Sequence, residues 1–355
     1  MEKYSRWSDL TTGTNPFVPH KQRLHDRLPV RALQALGGAA LVVVRLPLVL
    51  AVGLVLVVTN VVTSILGFVP LLGRLLKRLV EWLLCSLLLL LMGVLVTEED
   101  ANTRRLGLAS KSSPASSRVG PGDVVVCNHT SFLEVLYLAR RFSPVFVFVT
   151  PAGASKGLVH ACGLIEALVR ALSLPVADDR ATPRKLADVV ARASGPVVVF
   201  PEGARSNGKS VLRFLPILEQ LPLARGKAAT RVHLVAFRYE YKHFSPSHSA
   251  GRGWKHVLWT LFYGYHSLRV THLHAKDLDL QATAKQATLA SAQVERLRGL
   301  LAAMLRAKPV DLSVADFVSF NRYWDHVTGG GKRSAAEFTD RKAPHEHARW
   351  TTTTT

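Results

Sequence analysis

The segment Val124-Val-Val-Cys-Asn-His-Thr-Ser-Phe-Leu-Glu134 sets a histidine and a carboxylate just beyond an apolar run. The run reads as a strand passing directly into Asn128-His129, with a helix over Ser131–Arg141. That order places the His129 imidazole at the carboxyl end of a strand, the edge at which open α/β sheets bind ligands. Glu134 then lies in the first helical turn. From there its carboxylate can accept a bond from one imidazole nitrogen, fix the tautomer and leave the other nitrogen as a general base. The same residues have a second reading that needs no chemistry. Ser131-Phe-Leu-Glu134 is a capping box, with Ser131 as N-cap and Glu134 reaching back to its amide. A second segment, Val197-Val-Val-Phe-Pro-Glu-Gly-Ala-Arg-Ser-Asn-Gly208, is another apolar strand that ends in a turn rich in donors. Gly203 permits close approach of a ligand to the backbone. Arg205 offers a planar fork suited to phosphate and Ser206 a further donor, with Lys209 and Arg213 just beyond. Standing alone, this turn would read as a solvated basic loop.

Strand and helix signals alternate around these segments. Strands are expected at 123–127, 144–150, 174–177, 196–200, 231–239 and 268–274. Helices are expected at Ser131–Arg141, Lys156–Ser173, Thr182–Ala193 and Thr283–Lys308, the last with Val294, Leu297, Leu301 and Met304 on one stripe. Such alternation predicts an α/β domain over 123–310, with a central mixed sheet flanked by helices. A polar and basic segment, 1–32, opens the chain. Region 33–97 reads as membrane-embedded, because Leu46–Gly73 holds 28 residues without a charge and about 20 suffice to span a bilayer. A basic amphipathic patch follows (Arg74, Lys77, Arg78, Glu81), then the uncharged stretch Trp82–Thr97. Both flanks of the first run are basic, so the charge rule selects no orientation. Two spans, a shallow hairpin about Thr59-Asn60 and an interfacial helix over 74–97 all stay open. Residues 98–122 read as a Ser/Gly/Pro-rich linker, and 311–355 as a basic tail, disordered from Thr328.

The chain has 355 residues and a net charge of +20, so polyanions in general are admissible partners. No array of basic residues interleaved with aromatics favours nucleic acid, and the apolar runs make a lipid membrane the better partner. Cys85, Cys127 and Cys162 have no metal-ligand spacing and read as buried thiols. His272 and His274 alternate on a strand but lack a third ligand, so no metal is expected. Gly-Gly-Gly-Lys at 329–332 is not a phosphate loop, since His326 stands where its first glycine is required.

Taken together, the two polar segments resemble the glycerolipid (1-acylglycerol-3-phosphate) acyltransferase family. That family carries Asn-His-x4-Asp after its first strand and Phe-Pro-Glu-Gly-Thr-Arg-Ser further on. Here Asn128-His129-x4-Glu134 and Phe200-Pro-Glu-Gly-Ala-Arg-Ser206 stand in the same order, with His129 and Glu202 73 positions apart. The resemblance covers roughly 120–240. The opening Met1-Glu-Lys-Tyr-Ser-Arg-Trp7 and Asn15-Pro-Phe-Val-Pro19 look more narrowly like fungal lysophosphatidic acid acyltransferases of the endoplasmic reticulum and lipid droplets. The resemblance implies transfer of an acyl group from acyl-CoA, a co-substrate, to a lysophospholipid, with no cofactor. It makes His129 the base, Glu134 its partner, and Asn128, Arg180, Glu202, Gly203, Arg205 and Ser206 the substrate-binding set. Arg180, in Pro175-Val-Ala-Asp-Asp-Arg180, is a loose counterpart of the family's intermediate motif. The sequence departs from the pattern at Glu134 for aspartate and Ala204 for threonine. These departures support the rival reading, a membrane or lipid-droplet scaffold that keeps the fold without the activity.

Overall fold

The computed structural model describes residues 2–25, 27–65, 70–108, 118–149, 157–174, 183–221, 230–278, 280 and 288–338. A 3-10 turn at Glu2–Trp7 leads to helices α1 (Leu28–Ile65) and α2 (Pro70–Leu91) and strand β1 (Val94–Asp100). Then come β2 (Val124–Cys127), α3 (Phe132–Phe142), β3 (Val145–Val149), β4 (Leu158–Cys162) and α4 (Leu164–Leu172). They are followed by β5 (Arg184–Lys185), α5 (Leu186–Arg192), β6 (Val197–Val199), β7 (Ser210–Val211) and β8 (Val232–Glu240). The described chain continues through α6 (Gly253–Phe262), β9 (His266–Leu273), α7 (Ala275–Leu278), α8 (Ser291–Leu305), β10 (Lys308–Pro309) and α9 (Val314–Thr328).

Eight strands form one mixed sheet in the order β1-β9-β8-β2-β6-β3-β4-β5. Its centre is parallel: β2 lies between β8 and β6, and β6 pairs with β3. The valine runs of β2 and β6 are fully buried because helices cover both faces, as parallel strands require. Alternate residues divide between two cores. Val124, Val126, Val197 and Val199 pack with α5, α8 and α9, whereas Val125, Cys127 and Val198 pack with α1 to α4. The mixed sheet with flanking helices is the expected architecture, and parallel pairing carries the chain ends of β2, β6 and β3 to one edge.

Four expectations meet a different local structure. Lys156–Ser173 is not one helix: Leu158–Cys162 pairs antiparallel with β3, and α4 starts only at Leu164. Gly157, at φ 62°, and Gly163 bracket the five residues, and only the part beyond Gly163 keeps helical periodicity. No turn occurs at Thr59-Asn60. Both side chains bond to carbonyls one turn back, at 2.7 Å to Val55 and 3.0 Å to Leu56, so their polar groups are satisfied inside a continuous helix. β1 pairs with β9 over Val94–Asp100, so the sheet begins before the expected linker. Finally, the end segments fold onto the domain. Trp7 and Phe17 are buried against Phe317, Phe320 and Tyr323 of α9, a helix placed where a tail was expected. Of the remaining expectations, the strand positions 175–177, the helix positions 182 and 283–287 and the tail beyond 338 lie outside the described residues.

Candidate active site

β2 ends at Cys127, and the next residue fixes its exit. The Asn128 carboxamide donates to the Phe237 carbonyl at 3.0 Å and accepts from the Phe237 amide at 2.8 Å. It thereby extends the β2–β8 ladder through a side chain. His129 follows, buried, its ring 4.4 Å from Phe200 and 6.1 Å from Phe148, centroid to centroid. Its Nδ1 lies 3.0 Å from Glu134 Oε2. The Glu134 carboxylate also accepts from the amides of Thr130 (2.9 Å to Oε2) and Ser131 (3.1 Å to Oε1), and from the Thr130 hydroxyl. One fully buried carboxylate therefore completes the capping box of α3 and holds His129. The contacts of both readings of Glu134 are present, shared between its two oxygens.

A carboxylate accepts only, so Nδ1 carries the ring proton and Nε2 is the bare nitrogen. Nε2 is buried and has no hydrogen-bond partner among the described residues. Burial holds the His129 pKa below its ordinary value, and the nearby Arg205 charge adds to the effect against the opposing pull of Glu134. The imidazole is thus neutral at pH 7, oriented and unprotonated on the free side, as a general base must be.

The turn after β6 docks directly on this residue. The Ser206 amide donates to the His129 carbonyl at 3.0 Å, and the Ser206 hydroxyl accepts from Gly208. Gly203 has φ 65°, a backbone conformation that disfavours any side chain there. Glu202 is buried, accepting from the Leu212 amide through Oε2 at 2.8 Å, while Oε1 has no partner among the described residues. Burial, reinforced by the Glu134 charge, pushes its pKa up to about 8. Glu202 is therefore mostly protonated at pH 7. Arg205 is buried too. Its Nη1 donates to the Ser173 carbonyl at 2.8 Å and to Ala171, at the end of α4, while Nε is unpartnered among the described residues. Burial lowers its pKa to about 10, which leaves it cationic. Ala204 packs in the apolar core. Arg180 lies outside the described residues.

Three contributors carry no sequence signal of their own. Thr130 adds an amide and a hydroxyl to Glu134. Asn207 donates to the carbonyls of Asn15 (2.9 Å) and Val18 (3.0 Å), tying the amino-terminal segment to the turn. The buried loop Phe244–Ser249 covers the edge, its His248 amide bonded to the Thr130 carbonyl at 2.7 Å and its imidazole stacked on His256. A buried polar loop has no periodicity to announce it. His272 and His274 have protein partners, Tyr137 and Asp100, both at 3.1 Å.

Residues 109–218, which span the dyad and the docked turn, match the Acyltransferase family. The chain carries an acyltransferase domain. It is 27% identical over 224 residues to a Schizosaccharomyces pombe protein named "Putative lysophosphatidic acid:oleoyl-CoA acyltransferase", covering 62% of this chain and 68% of that one. No solved structure gives a significant match. The acyltransferase places its matched segments at the carboxyl ends of adjacent parallel strands, with β8 supplying the third wall.

Proposed function

We propose that this acyltransferase esterifies a lysophospholipid, lysophosphatidic acid foremost, with an acyl group from acyl-CoA, and that His129 is the general base. The observation that carries the reading is the dyad: Nδ1 held by Glu134 at 3.0 Å, and Nε2 buried without a partner among the described residues. In the reaction, Nε2 takes the proton of the acceptor hydroxyl as that oxygen attacks the thioester carbonyl. The C–O bond forms, the C–S bond breaks, and the departing thiolate recovers the proton from the imidazolium, which Glu134 stabilises meanwhile. Phe200 and Phe148 keep water from the base. The unpartnered Nε of Arg205 is the donor available to an acceptor phosphate, while Asn128, Glu202, Gly203 and Ser206 position the edge around it. The name of the Schizosaccharomyces pombe relative supports the choice of acceptor and donor.

The scaffold alternative rested on Glu134 and Ala204. The longer Glu134 side chain nonetheless brings its carboxylate within bonding distance of Nδ1, and Ala204 is a core position rather than a site position. The apolar helix α1 supports attachment to a lipid membrane, for which the endoplasmic reticulum and the lipid droplet are our assignment. The test uses purified protein with labelled acyl-CoA and a series of lysophospholipid acceptors. Wild type should form phosphatidic acid from lysophosphatidic acid, and His129→Ala should lose about 10²–10⁴-fold of the rate with expression unchanged. Retention of more than half the wild-type rate in that variant would remove the base from His129.

A further inference from the structure

Beyond Thr130, on the β8 side of the docked turn, lies a cleft of about 320 Å³. Lys209, Arg238 and Arg306 line it together with Thr130, Ser245 and Ser247, and no carboxylate is among its lining residues. Three cations thus share one concavity without a counter-charge among the described residues. None of the three side chains has a hydrogen bond or ion pair among the described residues, although acidic residues elsewhere on the surface do pair, as Glu240 does with Arg269. The excess is felt locally. His20, which also lines the cleft, has its pKa lowered by burial and further by the Lys209 charge.

Arg306 supplies a second, independent observation. It ends α8 at φ 54°, ψ 36°, the left-handed conformation that glycine usually occupies after a helix. An arginine there strains the backbone, and such strain is commonly retained where a side chain has work to do. The hydroxyls of Ser245 and Ser247, 2.8 Å apart, each keep further bonding capacity for an anion's oxygens.

We infer that this cleft is a second anion site, distinct from the dyad, that binds a phosphate monoester through Lys209, Arg238 and Arg306. Two sources share that chemistry: the phosphates of a nucleotide-bearing acyl donor and the phosphate of a glycerolipid headgroup. The site is independent of the identity of the acyl acceptor, so it is tested by binding rather than by turnover. Titration calorimetry on the detergent-solubilised full chain would use adenosine 3′,5′-bisphosphate in one arm and glycerol 3-phosphate in the other. Binding in the first arm assigns the donor and binding in the second the headgroup. In either arm the affinity should fall with added salt.

Arg238→Gln and Arg306→Gly should each weaken the bound probe at least tenfold. Arg306→Gly has an opposite signature in stability, since glycine relieves the left-handed strain, and its melting temperature should rise while binding is lost. Loss of binding therefore cannot be ascribed to misfolding. His129→Ala should bind the probe as wild type does, which separates failure of this site from failure of the dyad. Absence of binding by both probes at low salt, or unchanged affinity in both arginine variants, would overturn the inference.

Discussion

At the scale of single residues, the site turns on how Glu134 divides its oxygens. In Glu134→Gln, the retained oxygen can go on accepting from Ser131, but the new amide group presents donors to His129 Nδ1 and the Thr130 amide, which are donors themselves. The rate should fall by about 10²–10⁴-fold, as when the orienting carboxylate of other dyads is neutralised, while the helix cap largely survives. Equal turnover in wild type and Glu134→Gln would reduce Glu134 to its cap. The pH dependence follows from burial. With His129 as the proposed neutral base and its pKa below the ordinary value, kcat/KM should fall only as pH drops below about 6.5. Phe200→Ala admits water beside the ring and lifts part of that depression, so the acid limb should move upward; a limb that stays in place or moves down would contradict the assigned cause. The contact was legible here because His129 and Glu134 are close in sequence. Thr130 was not legible as a partner, because its role depends on a turn geometry that spacing alone leaves open.

Among the elements, the strands that carry the site could be read from the sequence and the segments that brace it could not. β2, β3, β6, β8 and β9 fall within two or three residues of expectation, since buried parallel strands announce themselves as apolar runs. β4 was hidden, as its five residues precede a helix stripe and merge with it by periodicity. The segment Trp7–Val18 and α9 were assigned to the ends by composition, yet their aromatic residues bury against one another in the core. This brace reaches the site through Asn207, whose carboxamide joins Asn15 and Val18 to the turn bearing Arg205 and Ser206. Phe17→Ala should cost about 3–5 kcal/mol, typical of a fully buried phenylalanine. Thermal denaturation and initial rates measured together would test the coupling. Lower stability with lower turnover is expected, and a stability loss with turnover unchanged well below the melting temperature would detach the brace from the site.

Across the whole molecule, an α/β domain adheres to a helix that has no business in water. α1 offers 36 residues apolar enough to cross a membrane, of which only 11% of the most apolar stretch is buried in the protein. One side of it is nevertheless fastened to the domain. Gly38 lets the helix approach Phe262 closely, Arg45 donates to the carbonyls of Tyr263 (3.0 Å) and Gly264 (2.8 Å), and Val49 and Leu56 share a core with Cys85 and Leu88 of α2. The other side exposes Leu50, Leu54, Val58 and Val61, a stripe larger than soluble surfaces leave uncovered. A lipid medium would satisfy this face, and in the membrane attachment we propose the fastening would hold the domain, with its sheet edge, at the bilayer. Substituting Leu54→Lys and Val58→Lys together tests the arrangement without touching the core, because both side chains are exposed. Each lysine deep in the hydrocarbon carries a penalty of about 2.5–3.5 kcal/mol. The double variant should pass from the pellet to the supernatant on alkaline carbonate extraction, with its melting temperature in detergent unchanged. Continued recovery in the pellet would mean that the α1 face does not hold the protein in the membrane, and would move that role to α2 and its exposed Leu75, Leu79 and Leu83.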